Sequence, residues 1–265
     1  MLIIGCGDVG RRVARHYTGR GVPVIGVVRS AATAQALQRQ GVQALRVDLD
    51  QDPLPVQPSR GEQVFYFAPP SEKGTTDPRM ARMLEAFRRD GEPHRLVYIS
   101  TTGVYGDCAG EWVDETRPVN PGADRARRRL DAEIRLRDWS RTSGAELVIL
   151  RVAGIYGPDR LPLARIREGL PLVRAEEAPF TNRIHEDDLL QVCVAAMQKP
   201  VNGELFNVSD GHPGTMAEYF DAIADRAGLP RAPKISMTQA AAHLSKGMLS
   251  YMRESRRLSN RKMLD

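Results

Sequence analysis

Through its first 150 positions the chain alternates short apolar runs with stretches whose apolar residues recur every three or four places. The run MLIIG predicts a strand. DVGRRVARHYTGRG follows, with Val9, Val13 and Tyr17 on one helical stripe and Gly21 to close it. VPVIGVV predicts a second strand, and SAATAQALQRQG a helix with Ser30 as cap and Gly41 as stop. VQALRVD, EQVFYFAPP, RLVYIS and AELVILRV predict strands three to six. Between them lie a helix over DPRMARMLEAFRRDG, with Met80, Leu84 and Phe87 on one stripe, and another over residues 123–143. Strands alternating with helices through short connections predict an α/β fold, a doubly wound parallel sheet with right-handed crossovers.

Past residue 155 the pattern is more mixed. GELFNVSDG reads as a strand and turn, and TMAEYFDAIADRAGLP as a helix with a clear stop. We expect residues 1–154 to form one domain. Residues 155–265 should form a smaller mixed lobe over the carboxyl ends of the strands, interleaved with the first in one structural unit.

Composition narrows the class. The 265 residues are 42% hydrophobic and 27% charged, an ordinary globular balance. No apolar run approaches the ~20 residues that span a bilayer, and MLIIGCGDVG carries no basic leader, so a signal peptide is not expected. Cys6, Cys108 and Cys193 form no CxxC pair, which points to a reduced, cytoplasmic setting and away from a metal site. The net charge of +5 admits nucleic acid as a partner. However, the chain has only five lysines, so nearly all of its positive charge is arginine, and the bias reads as compositional.

The stretch GCGDVG (Gly5, Cys6, Gly7, Asp8, Val9, Gly10) fits G-x-G-x-x-G in the required context, after a strand and opening a helix. Gly5 permits a tight turn, Gly7 lets the backbone approach a pyrophosphate, and Gly10 lets the helix pack close to the strand. The helix N-terminus supplies N–H groups and partial positive charge to phosphates. An NAD site offers an acid at the end of the second strand for the ribose hydroxyls. From Arg11 through Val47 this chain has no acidic residue, and the second strand ends at Arg29 and Ser30. An arginine there grips a 2′-phosphate that an acid would repel, so NADP is expected over NAD.

The stretches GCGDVG, VDLD, FYFAPP, YISTTGVYGD, EWVDETRPVNP, LRVAGIYGP, NRIHEDDLL, LFNVSDG and RRLSNRKML together resemble the extended short-chain dehydrogenase/reductase family, the NAD-dependent epimerase/dehydratase-like proteins. The resemblance runs along almost the whole chain. It implies a Rossmann domain with a small C-terminal substrate lobe. It also places Asp48 and Leu49 near adenine, and Phe67, Ala68 and Pro69 along the cofactor. Thr101 matches the family's substrate-bonding serine or threonine at the end of the fifth strand.

The family's Tyr-x-x-x-Lys dyad has no counterpart. Aligned on Leu130 and Glu133, Arg125 stands at the tyrosine position and Arg129 at the lysine position; counting from Val104–Gly106 shifts this by one residue. No tyrosine lies between Tyr105 and Tyr156, and no lysine between Lys73 and Lys199. The resemblance is therefore to an atypical subgroup. A guanidinium does not deprotonate in proteins, so Arg125 cannot trade a proton, although it can grip a substrate anion. Arg129 can donate to ribose hydroxyls. Alternatively, both belong to a solvated face of their helix, with Ala126, Leu130 and Ile134 packed inward. His185 is a further candidate donor. Tyr105 and Tyr156 read as packing residues, and Asp187 and Asp188 as caps of the next helix.

Two functions stay open. One is an NADP-dependent oxidoreductase or epimerase/dehydratase-like enzyme with a non-standard proton donor and an anionic small-molecule substrate. The other is a catalytically silent, NADP-sensing regulator. Nucleic-acid binding is not expected, because Asp131, Glu133 and Asp138 interrupt the basic helix. The resemblance adds a homodimer through helix 123–143 as an expectation.

Overall fold

The computed structural model describes residues 1–52, 61–199 and 201–265. In chain order its elements begin with β1 (Leu2–Ile4), α1 (Asp8–Thr18), β2 (Ile25–Val28), α2 (Ala31–Gln38) and β3 (Gln43–Arg46). Next come β4 (Gln63–Tyr66), α3 (Pro78–Asp90), β5 (Arg95–Thr101), β6 (Trp112–Val113) and α4 (Asp124–Ser143). Then follow β7 (Glu146–Val152), β8 (Gly154–Tyr156), α5 (Leu163–Arg167), β9 (Leu172–Val173), β10 (Arg183–His185) and α6 (Glu186–Gln198). The chain closes with β11 (Leu205–Val208), α7 (Met216–Ala227), β12 (Lys234–Ile235), α8 (Met237–His243), α9 (Lys246–Tyr251), β13 (Arg257–Leu258) and α10 (Arg261–Leu264).

Two compact units result, and they are interleaved in sequence. The first comprises residues 1–101, 124–151 and 189–206; the second comprises 102–123, 152–188 and 207–265. Segments of each unit thus lie on both sides of residue 154.

The first unit is built on a seven-stranded sheet in the order β11-β7-β5-β4-β1-β2-β3. The pairs β1–β2, β1–β4, β2–β3 and β4–β5 are parallel. This is the doubly wound, Rossmann-type arrangement, and the order reverses between β1 and β4, where such sheets bind ligands. Six of the strands are those the apolar runs predict. The seventh, β11, comes from the GELFNVSDG segment assigned to the lobe. On one face of the sheet, Met80, Met83, Leu84 and Phe87 of α3 and Ala132, Leu136 and Trp139 of α4 pack on Leu96, Tyr66 and Tyr98. Each such buried side chain is worth ~1.5–3 kcal/mol. Asp77 starts α3 by accepting from Arg79 N and Met80 N, with Pro78 in the first turn.

The inward face of α4 differs from the expected one. Ile134 is 53% exposed, whereas Arg128 and Glu133 are buried beside Ala126, Ala132, Leu136 and Trp139. Polar contacts select that face. Arg128 Nη1 donates to the Gly74 carbonyl at 2.6 Å. Glu133 accepts from Ser100 Oγ at 2.5 Å and from Arg151 Nη2 at 2.7 Å. Of the expected stripe, Ala126 is buried, Leu130 is half-buried and only Ile134 turns outward.

The second unit has three two-stranded parallel pairs, β8–β10, β9–β12 and β6–β13. Ile166, Leu172, Phe220, Ala224 and Ala232 form one of its cores. Helix α7 opens with a Thr215–Glu218 capping box and stops at left-handed Gly228. Tyr105 is buried, as its packing assignment requires, and its hydroxyl donates to Asn207 Oδ1 at 2.8 Å. Among the described residues no helix is long and apolar enough to cross a membrane.

Candidate cofactor-binding site

The turn after β1 is built as the glycine spacing demands. Gly5 has φ +85, and a Cβ there would lie 2.3 Å from the Ala68 nitrogen. Only glycine fits both the turn and the approach. Gly5 N and Cys6 N donate to the Val27 carbonyl at 3.1 and 2.9 Å, which ties the turn to β2. A Cβ on Gly10 would stand 3.0 Å from the Gly5 carbonyl oxygen, so α1 lies close against β1. Gly7 is different: a Cβ there meets no atom within 4 Å. Gly7 is exposed and forms the N-cap of α1, where it has no side chain to cap the helix. Gly7 thus leaves room before the N-terminal, positive end of an eleven-residue helix, a fit for a pyrophosphate. Asp8 and Val9, in the first turn of α1, are half-buried.

Cys6 is fully buried, and burial pushes its thiol up to about 12. Its sulfur fills the space beside Gly26. Cys193 is likewise buried and pushed up to about 12 by burial, and burial also raises the Cys108 thiol. The thiolate is the reactive form. The native protein should therefore resist iodoacetamide at pH 8, and mass spectrometry should find alkylation at all three cysteines only after denaturation. Labelling of Cys6 in the folded protein would contradict this packing.

Past β2, Arg29 and Ser30 are both exposed. Ser30 Oγ accepts from Thr33 N at 3.1 Å and caps α2, whose first turn has no acidic residue. Beyond β3, Asp48 and Leu49 are half-buried. Asp48 Oδ1 accepts from Asp50 N at 3.0 Å, and Asp52 Oδ2 accepts from Asp48 N at 2.9 Å. Asp50 itself is held by α3: Arg79 Nε donates to its Oδ1 at 2.8 Å, and Arg79 Nη2 to its Oδ2. That hydrogen-bonded guanidinium holds the Asp50 carboxyl below the usual carboxylate range against the opposing effect of burial; the charges of Arg79, Arg82 and Arg29 add to it.

Past β4, Phe67 and Ala68 keep hydrogen bonds to the Ile4 carbonyl at 2.8 and 3.1 Å, so the chain runs beside the glycine turn until Pro69, which is exposed. Thr101 is the last residue of β5 and half-buried. Arg129, on α4, reaches these strand ends. Its Nη1 donates to the Ile99 carbonyl at 2.9 Å, the Ala68 carbonyl at 3.2 Å and the Tyr98 hydroxyl at 3.3 Å. Arg129 therefore braces the ends of β4 and β5. Arg125, one turn earlier, is exposed. The structure brings the glycine loop, Arg29, Ser30, Asp48, Leu49, Phe67–Pro69, Thr101 and Arg129 to the carboxyl edge of one sheet. Tyr98, the phenol beside Arg129, is fully buried, and burial pushes its pKa up to about 12 despite the arginine.

His185 belongs to the second unit. Its Nδ1 accepts from Asp187 N at 3.2 Å, and its ring meets Tyr156 edge-on at 5.2 Å. Asp187 and Asp188 lie in the first turn of α6, which begins at Glu186. Within the same unit Arg183 lies over the Tyr219 ring, 4.0 Å from its centroid. Both line a pocket of about 340 Å³ with Tyr156, Asp210, Thr215 and Glu218. Sequence reasoning missed that pocket, since its residues are scattered over three segments. It also missed Arg79, which no spacing distinguishes from the many other arginines.

Comparison with known proteins agrees with this geometry. Residues 5–200 match the family model described as NAD(P)H-binding. Protein YeeZ of Escherichia coli (strain K12) is 27% identical over 228 residues, which cover 82% of this chain and 80% of YeeZ. The structure of a conserved protein of unknown function from Silicibacter pomeroyi superposes with a TM-score of 0.87 at 28% identity, covering 99% of this chain and 89% of that one. A Thermus thermophilus UDP-glucose 4-epimerase in complex with NAD has a TM-score of 0.76 at 24% identity, covering 100% and 92%; that likeness bears on the fold alone.

Proposed function

The chain belongs to the NAD(P)H-binding family, and from that premise we propose that it is an NADP-dependent oxidoreductase of atypical, epimerase/dehydratase-like type acting on an anionic small molecule. One observation carries the cofactor reading. A helix N-terminus opened by Gly7 and the exposed pair Arg29–Ser30 stand at the ends of β1 and β2, and no acid occurs from Arg11 to Val47. Amides of the Gly5–Gly10 loop hold the pyrophosphate. Arg29 and the Ser30 hydroxyl take the 2′-phosphate. Phe67, Ala68 and Pro69 line the cofactor past the end of β4, beside the reversal of strand order between β1 and β4. The bound nicotinamide supplies hydride chemistry.

Thr101, at the end of β5, orients the substrate oxygen by its hydroxyl. Arg125 offers a fixed, solvent-facing cation for a substrate anion. Arg129 keeps the ends of β4 and β5 in place. The proton comes from a group other than the family's tyrosine. Pairing of two copies through α4 is part of this reading, supported by exposed Ile134. The second reading, a silent NADP sensor, draws on Arg129, whose Nη1 is given to strand-end carbonyls where the family has its lysine.

NADP(H) should raise the melting temperature well above any shift with NAD(H), since ligand at 100 times its Kd adds about 2.7 kcal/mol. Arg29→Asp should reverse the order. Equal shifts with both cofactors, or an Arg29→Asp protein that still prefers NADP(H), would refute the cofactor reading. Turnover of NADPH with any carbonyl, abolished by Thr101→Ala, separates the enzyme from the sensor.

A further inference from the structure

The ends of β3 and β4 are not neighbours. The sheet order places β2 and β1 between them, and at ~4.8 Å per strand they start roughly 14 Å apart. One side chain nevertheless joins the loops that leave them. Arg79, in the first turn of α3, gives Nε and Nη2 to the two oxygens of Asp50 after β3, and Nη1 to the Pro69 carbonyl after β4 at 2.8 Å. Its side chain is only 10% exposed. Arg82, one turn on, donates to the Leu49 and Asp50 carbonyls and stands 3.9 Å from the Asp50 carboxylate.

Asp50 lies close to the position where a 2′-phosphate is to be held. Val28, the last residue of β2, is registered with Arg46, the last of β3, and Val47 N donates to the Val28 carbonyl at 2.9 Å. Arg29 and the Asp48–Asp52 loop thus leave adjacent strand ends. Asp48 and Asp52 each have one carboxylate oxygen on a backbone amide within the loop. Asp50 instead turns both oxygens to Arg79. Were it free, it would offer Arg29 an internal partner and set a negative charge against the incoming phosphate.

We propose that Arg79 is a positioning residue for cofactor choice: it holds the Asp50 carboxylate against α3, so that Arg29 is kept for the 2′-phosphate. The inference rests on the NADP reading above. It assigns to the arginine a role in selectivity exerted through another residue, without contact with the cofactor. A bidentate guanidinium is required, because only a fork satisfies both oxygens and still spares a donor for the Pro69 carbonyl.

The test measures dissociation constants for NADPH and NADH by fluorescence titration. The proteins are wild type, Arg79→Met, Asp50→Asn and the double variant, each first verified as folded by circular dichroism. Arg79→Met should weaken NADPH about tenfold, the scale of one unpaired charge beside another at partly solvated separation, while NADH changes less than about twofold. Asp50→Asn alone should bind NADPH as tightly as wild type or tighter. The double variant should recover most of the lost NADPH affinity. A purely structural arginine would weaken both cofactors alike, and removing Asp50 would not rescue it; that pattern overturns the proposal, as does an Asp50→Asn protein weakened toward both. If Arg79→Met cannot be folded, Asp50→Asn still decides by that criterion. A wild type that binds NADPH no tighter than NADH overturns the parent reading and this one together. A wild-type preference that survives in Arg79→Met overturns this one alone.

Discussion

Gly5→Ala should destabilise the protein by about 3 kcal/mol or more, the sum of a left-handed backbone position and a methyl forced into packed backbone. The added carbon would sit 2.3 Å from Ala68 N, 2.5 Å from Ala68 Cα and 2.8 Å from Phe67 C, none of which is the movable end of a side chain. Gly7→Ala is the control. Its methyl meets no protein atom, so its cost to the fold should be less than half as large, yet the methyl occupies the space the pyrophosphate needs. Urea titration gives the first quantity. The thermal shift produced by NADP(H) gives the second, and it should vanish in Gly7→Ala. The assignment of the glycine turn fails if the Gly7 variant keeps its full cofactor shift, or if Gly5→Ala is no less stable than Gly7→Ala.

The second large effect lies beneath β5. Glu133 and Arg151 have side chains 2% and 6% exposed, and the carboxylate also accepts from Ser100 Oγ. Breaking a buried pair leaves an uncompensated charge, a loss of roughly 3–5 kcal/mol. Glu133→Ala should therefore fall near that range in a urea midpoint experiment. Glu133→Gln fills the same volume and still leaves the Arg151 charge without its counter-ion, so it should lose almost as much. If glutamine restores most of the stability, the site is held by shape and hydrogen bonding rather than by charge.

The sheet was legible because its central strands are buried on both sides and therefore read as apolar runs, as in MLIIG and RLVYIS. The glycine turn was legible because its chemistry is local: three glycines at fixed spacing, with an acid-free stretch behind them. β11 was legible as a strand, but nothing local in GELFNVSDG says which sheet it joins. The outward place of Ile134 on α4 went unread for a different reason. Ile134 has the apolar side chain, but Glu133 and Arg128 have partners at Ser100, Arg151 and Gly74, all distant in sequence. Buried charge follows its partner rather than a hydropathy stripe. The same holds for Arg79, whose significance comes entirely from Asp50 and Pro69. That no tyrosine lies between Tyr105 and Tyr156, and no lysine between Lys73 and Lys199, was visible in sequence. That Arg129 would spend Nη1 on the ends of β4 and β5 was not.

The seven-stranded sheet is finished late. Its edge partner for β7 is β11, which leaves the ribosome only after α5, β8 to β10 and α6 have been made. At 5–20 residues per second, the exposed margin of β7 waits roughly 3–10 s for its neighbour during synthesis. A nascent chain carrying Leu147, Val148, Ile149 and Leu150 on that margin is a natural client for chaperones, and slow translation through residues 153–204 would lengthen its exposure to aggregation.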